Sequence, residues 1–183
     1  MQRDKMDWNR ARYDLQYIFL NKCINQIPSW AVRRYFYLKC GMRLQDGARI
    51  GIGTIVLHPR GIYVGKRSII NENCFLDGRG GLYIGRDTSI STYTKILSAS
   101  HRENSGCFEY FTSKTYIGKH VWIGTGAIIL DGSQINDYAV IGAGAVLKGT
   151  AEKGDILVGN PAKFIKKREL GVDYHLGNKQ YFR

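Results

Sequence analysis

The sequence predicts an all-β fold, a parallel β-helix of six-residue repeats that follows a short helical segment. Aliphatic residues recur at every sixth position in the second half of the chain, at Ile117, Ile123, Ile129, Ile135, Ile141 and Leu147. A small or slim residue stands two positions before each of them, and glycine follows several of them. A period of six matches neither the 3.6 residues of a helical turn nor the plain alternation of a strand.

Each repeat describes a short strand followed by a corner. One large residue per strand fills a shared interior, the small residue leaves room at the corner, and glycine permits backbone angles that other residues resist. Three repeats close one triangular coil, and stacked coils pair through parallel ladders. The aliphatic residues therefore predict the scaffold and say nothing about chemistry.

An earlier stretch of the chain repeats the pattern less regularly. Six-residue spacing runs through Val64, Ile70 and Leu76, and it resumes after a slip of two residues at Ile84, Ile90 and Ile96. We expect Ile50, Val56 and Ile62 to form one further coil. The predicted β-helix domain extends over residues 43–168.

Residues 1–42 lack the repeat. Ser29 before the segment 30–40, with Gly41 after it, predicts a helix that Ser29 caps. Residues 8–27 are predicted to be helical as well. We favour a segment that caps the open end of the solenoid, although the basic and aromatic run 33–37 also suits peripheral contact with a membrane. The remaining residues, 169–183, are predicted to form a weakly patterned tail.

Composition narrows the function classes. The chain has 183 residues, 44% of them hydrophobic, and a formal net charge of +12. Such a charge fits a phosphorylated substrate, an anionic membrane or nucleic acid, but no nucleic-acid recognition motif is present. The charged N-terminus does not resemble a signal peptide, and the four scattered cysteines suit reduced thiols. We expect a cytoplasmic protein, at the inner membrane surface if the N-terminal segment meets lipid.

A polar segment, residues 98–107, interrupts the repeats between Ile96 and Ile117. A loop that leaves a rigid solenoid is where function tends to lie. This loop holds His101, one of four histidines in the chain. From the residues alone, His101 is a candidate general base, and a loop histidine hydrated by solvent is the alternative.

The run IGKHVWIGTGAIILDGSQINDYAVIGAGAVL (117–147) resembles the hexapeptide-repeat acyltransferases, and VGNPAKFIKK, from residue 158, resembles their closing segment. The chain is similar to the galactoside and maltose acetyltransferases. The motifs LDGRGGLYIG (76–85) and ISTYTKILSASH (90–101) make it more similar to O-acetyltransferases of bacterial surface-polysaccharide biosynthesis. The resemblance covers residues 44–168. It implies a left-handed β-helix, acetyl transfer from acetyl-CoA to a sugar hydroxyl or glycan precursor, and a homotrimer whose sites are shared between chains.

The resemblance also implies roles on the acceptor side. His101 lies where the family has its catalytic base, and Asn71 lies where an asparagine binds the acceptor, with Asn73 as a competitor for that role. Arg79 replaces an acidic acceptor-binding residue of the galactoside enzymes, and Asp77 lies beside it. An arginine fork favours an anionic acceptor. The alternative is that Arg79 only secures a corner of the coil through backbone carbonyls.

On the donor side, the resemblance implies five contacts. Trp122 lies in the cleft shared by the substrate and CoA, or packs against a neighbouring subunit. Thr125 and Ala143 line the pantetheine channel. Lys163 and Lys166 approach the CoA phosphates as point charges, with a solvated surface as the alternative.

Other chemistries fit the sequence poorly. Cys107 is not evidently paired with a base that would make it a nucleophile. The zinc-binding carbonic anhydrases of this fold use three histidines, whereas only His101 and His120 lie in the relevant part of the chain, so we expect no metal. Two further alternatives are N-acetylation of an amino-sugar nucleotide and an inert scaffold. The short N-terminal segment disfavours the first, and the polar excursion around His101 disfavours the second.

Overall fold

A computed structural model of the chain describes residues 8–169 and 174–177. The parts of the predicted helical segment and tail at 1–7, 170–173 and 178–183 lie outside the described residues. Helix α1 (Trp8–Ile18) continues into a π-helical turn (Phe19–Cys23) and a 3₁₀ turn (Ile24–Gln26), and helix α2 (Trp30–Lys39) follows. None of these helices is long and apolar enough to cross a bilayer.

The ends of α2 lie where the sequence predicts them. The helix begins after Ser29, but the Ser29 side chain makes no capping hydrogen bond. Gly41 adopts a φ of +91°, which glycine reaches without steric cost. Its N–H donates to the carbonyl of Leu38 at 2.9 Å, and this bond ends the helix.

Short strands then wind through three sheets, which are parallel apart from the last strand of sheet 2. Sheet 1 contains β1 (Arg43–Leu44), β4 (Ile62–Val64), β7 (Leu82–Ile84), β12 (Thr115–Ile117), β15 (Gln134–Ile135) and β18 (Thr150–Ala151). Sheet 2 contains β2 (Arg49–Ile50), β5 (Ile69–Ile70), β8 (Ser89–Ile90), β13 (Trp122–Ile123), β16 (Val140–Ile141), β19 (Asp155–Val158) and β20 (Lys163–Lys167). Sheet 3 contains β3 (Ile55–Leu57), β6 (Phe75–Asp77), β9 (Lys95–Ile96), β14 (Ile128–Ile129) and β17 (Val146–Leu147).

The six-residue period places one buried side chain per strand in the shared interior. Ile84, Ile117 and Ile135 are register partners in successive coils of sheet 1, and none of them is exposed. Alternate residues point outwards, as strand geometry requires, so Tyr83 and Tyr116 stack on the outer surface with ring centroids 5.0 Å apart. The predicted β-helix is confirmed.

The first coil differs from the prediction. It consists of Leu44, Ile50 and Val56, while Ile62 and Val64 both face the interior from β4 of the second coil. The prediction that Ile62 completes the first coil is therefore wrong. A 3₁₀ turn, Pro59–Gly61, lies between β3 and β4 and lengthens the passage from sheet 3 to sheet 1.

Similar lengthening occurs at this one corner in three successive coils. The passage spans residues 58–61 in the first coil, 78–81 in the second and 97–114 in the third. Interior residues on either side of it are eight positions apart from Val56 to Val64 and from Leu76 to Ile84, and 21 apart from Ile96 to Ile117. In the fourth coil the spacing across the same corner is the regular six, from Ile129 to Ile135. We call this passage from sheet 3 to sheet 1, in the first three coils, the insertion corner.

The N-terminal segment caps the open end of the solenoid, as we favoured. The Asn21 side chain donates to the Val56 carbonyl at 2.9 Å and accepts from the Val56 N–H at 2.8 Å. Arg33 donates to the Ile50 carbonyl at 3.1 Å. Arg33 and Tyr37 are fully buried, so these two members of the run 33–37 cannot reach a membrane. Peripheral membrane contact by the rest of the segment stays a prediction.

Candidate active site

The predicted loop around His101 is a β-hairpin. Strand β10 (Ala99–His101) pairs antiparallel with β11 (Tyr110–Thr112), and His101 lies opposite Tyr110. The aromatic and β-branched run 110–112 on the far side of Gly106 is a hairpin signal that the sequence analysis missed. The hairpin projects from the insertion corner and presents His101 at the surface.

The orientation of His101 is set by its own hairpin. Its Nδ1 lies 2.9 Å from the carbonyl oxygen of Phe108. A carbonyl oxygen only accepts hydrogen bonds, so Nδ1 carries the proton and Nε2 keeps its lone pair in the neutral ring. The Phe108 ring stacks on the imidazole with centroids 3.9 Å apart, and Tyr110 contacts it edge-on at 5.5 Å. This arrangement suits a general base.

A cleft of about 510 Å³ opens beside His101. Hairpin residues form most of its wall, and Lys148, from a later coil, closes one side. Arg102 Nε lies 3.2 Å from Glu109 Oε2, and this ion pair links the two sides of the hairpin. The polar wall suits an acceptor rich in hydroxyl groups.

Asp77 and Arg79 form a clamp at the insertion corner. The Asp77 carboxylate accepts hydrogen bonds from Arg79 Nε and Nη2, both at 2.9 Å, and from the Ser98 N–H at 3.2 Å. Burial alone would raise the pKa of Asp77, but the hydrogen bonds from Arg79 and Ser98 outweigh it and lower that pKa. The clamp joins the second coil to the base of the hairpin.

The clamp bears on the predicted acceptor roles of both residues. The Asp77 side chain is fully buried. The Arg79 guanidinium lies 5.9 Å from the centroid of the Tyr110 ring, which places it near the hairpin. Contact of either residue with an acceptor stays a prediction. The geometry favours the alternative in which Arg79 secures the corner, through a carboxylate where we expected backbone carbonyls.

The predicted donor residues lie on a different part of the coil. Thr125 and Ala143 are exposed where successive coils pass from sheet 2 to sheet 3, and the Gly144 N–H donates to the Thr125 carbonyl at 2.8 Å. We call this passage the donor corner. Trp122 lies on the outer face of β13, half exposed, with Nε1 3.3 Å from the Ser91 hydroxyl.

The closing segment runs back along the end of sheet 2. The chain turns at 159–161, and β20 pairs antiparallel with β19. Lys163 and Lys166 are exposed on β20. Their charges therefore face solvent on the sheet that also carries Trp122.

Asn71 lies at the donor corner as well, in the second coil. Its side chain donates to the Ile90 carbonyl at 2.8 Å, which is the turn role that competes with acceptor binding. Asn73 is exposed with a φ of +58°. The structure does not bring either asparagine to His101 within one chain.

The two corners are separated by a whole side of the coil. His101 follows the carboxyl end of sheet 3, whereas Thr125 and Ala143 precede its amino end. The two corners therefore lie apart within one chain.

Rival chemistries find little support in the described part of the chain. Residues 8–169 and 174–177 contain no group of three or more histidine, cysteine or carboxylate side chains that could hold a metal ion. His120 is buried and stacks on Tyr138, with ring centroids 4.9 Å apart, instead of joining His101. Cys107 is exposed, and its sulfur lies 3.2 Å from the Ser105 hydroxyl.

Comparison with known proteins agrees with this architecture. Residues 114–149 match the family described as "Bacterial transferase hexapeptide (six repeats)". The chain is 47% identical over 113 residues to a protein of Lysinibacillus sphaericus named as a macrolide acetyltransferase, covering 58% of this chain and 63% of the relative. It is 29% identical over 114 residues to a protein of Escherichia coli named as a lipopolysaccharide biosynthesis O-acetyl transferase, covering 54% and 56%.

Among solved structures, a hexapeptide-repeat acetyltransferase of Vibrio cholerae in complex with acetyl-CoA superposes with a TM-score of 0.80. The sequence identity is 22%, and the match covers 91% of this chain and 92% of the other. The match thus covers less than two thirds of the length of each of the two sequence relatives, but nearly all of the structural one. From the matched repeats and the shared coil, we identify the chain as a hexapeptide-repeat protein with the β-helix fold of the hexapeptide-repeat acetyltransferases.

Proposed function

We propose that the chain transfers an acetyl group from acetyl-CoA to a sugar hydroxyl in surface-polysaccharide biosynthesis. The observation that carries the proposal is the hydrogen bond from His101 Nδ1 to the Phe108 carbonyl at 2.9 Å. It leaves Nε2 as a base beside a polar cleft. The E. coli relative named as a lipopolysaccharide O-acetyl transferase supports the acceptor class.

The chemistry needs one base and no covalent enzyme intermediate. His101 Nε2 takes the proton of the acceptor hydroxyl as its oxygen attacks the thioester carbonyl. The tetrahedral intermediate then collapses, the carbon–sulfur bond breaks, and the CoA thiolate recovers the proton from the imidazolium. The Phe108 carbonyl accepts from Nδ1 throughout, so it stabilises the charge that the imidazole gains.

The donor corner fits an extended thioester with a phosphorylated end. Thr125 and Ala143 are exposed with little side-chain bulk, and Trp122 offers an accessible ring nearby on sheet 2. Lys163 and Lys166 supply positive charge on β20 for the phosphates of CoA. The V. cholerae structure contains acetyl-CoA, which supports acetyl-CoA as the co-substrate here. The proposed reaction requires no metal.

The separation of the two corners supports a homotrimer. In this proposal, His101 of one chain faces the donor corner of its neighbour, and a closed ring of three chains forms three such sites. Asn71 lies at the donor corner, so it would reach the acceptor across the same interface.

N-acetylation of an amino-sugar nucleotide is the alternative within the enzyme class. An N-acyltransferase of Bacillus cereus, in complex with dTDP and CoA, shares the fold with a TM-score of 0.60 at 21% identity. That likeness concerns the fold alone. A screen that pairs each hydroxyl sugar with its amino analogue separates the two reactions.

The sharpest test replaces His101 with Asn. The Asn side-chain amide can still donate to the Phe108 carbonyl, but it offers no base in place of Nε2. We expect kcat to fall by at least about a hundredfold, the usual scale for general-base catalysis. Acetyl-CoA should still raise the Tm, because ligand binding to the native state stabilises it.

Cys107→Ser serves as the control in the same hairpin and should be nearly silent. Near-full activity in His101→Asn would remove His101 from the mechanism. A large loss in Cys107→Ser would instead indicate a covalent route.

A further inference from the structure

A second cleft lies further along the insertion corner. Neighbouring strands of a sheet are about 4.8 Å apart, so the first coil lies roughly 10 Å from the level of the third. A cleft of about 510 Å³ opens there between α1 and residues 58–60. It therefore adjoins the same edge of the solenoid that carries the His101 hairpin.

The lining of this cleft is cationic. Arg12 contributes a guanidinium group from α1, and Arg60 contributes another from the first coil, where the imidazole of His58 also lines the cleft. None of the described residues that line it carries a carboxylate, and Arg12 and Arg60 are both exposed. Within residues 8–169 and 174–177, neither of these arginines forms an ion pair. Two guanidinium groups without ion-pair partners at one cleft suit a phosphate, which accepts paired hydrogen bonds from each.

Contacts connect this cleft to His101. Tyr13 lines the cleft, and its ring lies 6.2 Å from that of His58. Burial raises the pKa of Tyr13, and the positive charge of Arg79 opposes that rise. Arg79 lies over the Tyr110 ring, and Tyr110 contacts His101 at 5.5 Å.

Arg79 itself is poorly suited to bind the anion. Asp77 already accepts from its Nε and Nη2 and neutralises its charge. Arg12 and Arg60 keep their charges available. The anionic group that we expected at Arg79 therefore fits better in the neighbouring cleft.

We propose that this cleft binds a phosphate or diphosphate group of the glycan acceptor through Arg12, His58 and Arg60. The hydroxyl that is acetylated then lies at His101, and the spacing of roughly 10 Å between the first and third coils leaves room for a sugar ring between the two. The inference rests on the proposed function and names the class of its acceptor: a glycan precursor whose sugar is linked to phosphate.

The first experiment measures anion binding without catalysis. Inorganic pyrophosphate is titrated calorimetrically into protein saturated with CoA, so that the phosphate contacts at the donor corner are filled. The variant is Arg12→Gln/Arg60→Gln. Glutamine keeps the Cγ and Cδ atoms, which in Arg60 pack closely against Gly41. Arg43→Gln is the matched control, because Arg43 is exposed in the same coil on sheet 1.

We expect the double variant to bind pyrophosphate at least about tenfold more weakly than the wild type, from the loss of two bidentate donors. Arg43→Gln should match the wild type. Equal affinity in the wild type and the double variant would overturn the site.

The second experiment measures acetyl transfer to three acceptors: a nucleoside-diphosphate hexose, a polyprenyl-diphosphate hexose and the neutral hexose. The double variant should raise KM for the preferred diphosphate acceptor at least about tenfold more than KM for the neutral sugar. The diphosphate acceptor that the wild type prefers identifies whether the link is to a nucleotide or a lipid.

The outcomes separate this inference from the proposed function. Preference of the wild type for the neutral sugar would overturn the inference and leave the acetyltransferase intact. If no sugar is acetylated, although pyrophosphate binding depends on Arg12 and Arg60, the proposed function fails and the anion site stands.

Discussion

At the scale of single residues, His101 and Asp77 differ in exposure and in the roles proposed for them. The imidazole is exposed on the hairpin, whereas the Asp77 carboxylate that secures the base of that hairpin is fully buried. An exposed histidine is free to meet a substrate. A buried carboxylate with several donors contributes to stability, because those donors would be left without partners in its absence.

Asp77→Asn should lower the free energy of unfolding by about 2 kcal/mol at pH 7, on the scale of hydrogen bonds to charged groups. The folded-state pKa of Asp77 is lowered, so its contribution is present above the unfolded pKa and is lost as pH falls through the folded pKa. The difference between wild type and variant should therefore shrink on acidification from pH 7 towards about pH 3. Denaturant unfolding at several pH values measures it.

Asp46→Asn is the control, since Asp46 is exposed and its replacement should change little. A difference between Asp77→Asn and wild type that does not depend on pH would show that the carboxylate charge is not what stabilises the clamp.

At the scale of elements, the hairpin depends on close backbone contact where it leaves the coil. A Cβ atom on Gly80 would lie 2.3 Å from the Ser98 carbonyl oxygen and 2.8 Å from the backbone of Ser113. The Gly80 N–H also donates to the Ser98 hydroxyl at 2.8 Å. Ser98 and Ser113 flank the two strands of the hairpin, so Gly80 sets the position of its base.

Gly80→Ala should therefore displace the hairpin. We expect a loss of about 1–3 kcal/mol in stability, the usual cost of forcing extra volume into a packed site, together with lower kcat, because His101 moves. Gly106→Ala is the matched control at the tip of the same hairpin, where a Cβ would meet nothing within 4 Å. Thermal unfolding and acetyl transfer are measured on both variants. Equal Tm and equal kcat in the two would refute this role for Gly80.

At the scale of the whole molecule, the proposed site draws on two corners that lie apart within one chain. His101 is at the insertion corner, and Ala143 is at the donor corner. The proposed trimer unites them between neighbours, and such a shared site can be tested by mixing chains that are defective at different corners.

His101→Asn should be inactive alone. Ala143→Asp should also be inactive alone, because its carboxylate would repel the negatively charged acetyl-CoA. Co-expressed in equal amounts, the two variants should recover about a quarter of wild-type activity. A shared site is active only when one chain supplies an intact His101 and its neighbour supplies an intact donor corner, and each condition holds in about half of the cases. Activity of tagged and purified mixed oligomers measures this. Absence of recovery, in oligomers shown to be mixed, would mean that each site belongs to a single chain.

Sequence by itself determined the solenoid and singled out His101 as the candidate base. The interior of a narrow coil accepts one large side chain per strand. The fold can therefore be recognised in the sequence from the six-residue period between Ile117 and Leu147. His101 was identifiable for the same reason, because an interruption is conspicuous only against a strict repeat. The longer passages at 58–61 and 78–81 interrupt the repeat as well. They lie at the insertion corner, from which the hairpin also projects.

Tertiary structure alone decided how the site is arranged. The Phe108 carbonyl that fixes the His101 tautomer is a backbone group, and backbone groups have no sequence signature. The Asp77–Arg79 clamp and the cleft at Arg12 and Arg60 depend on which coils and helices become neighbours. The six-residue pattern records which residues face the interior of the coil, but the outer surface obeys no such constraint, so its contacts appear only when the chain is folded.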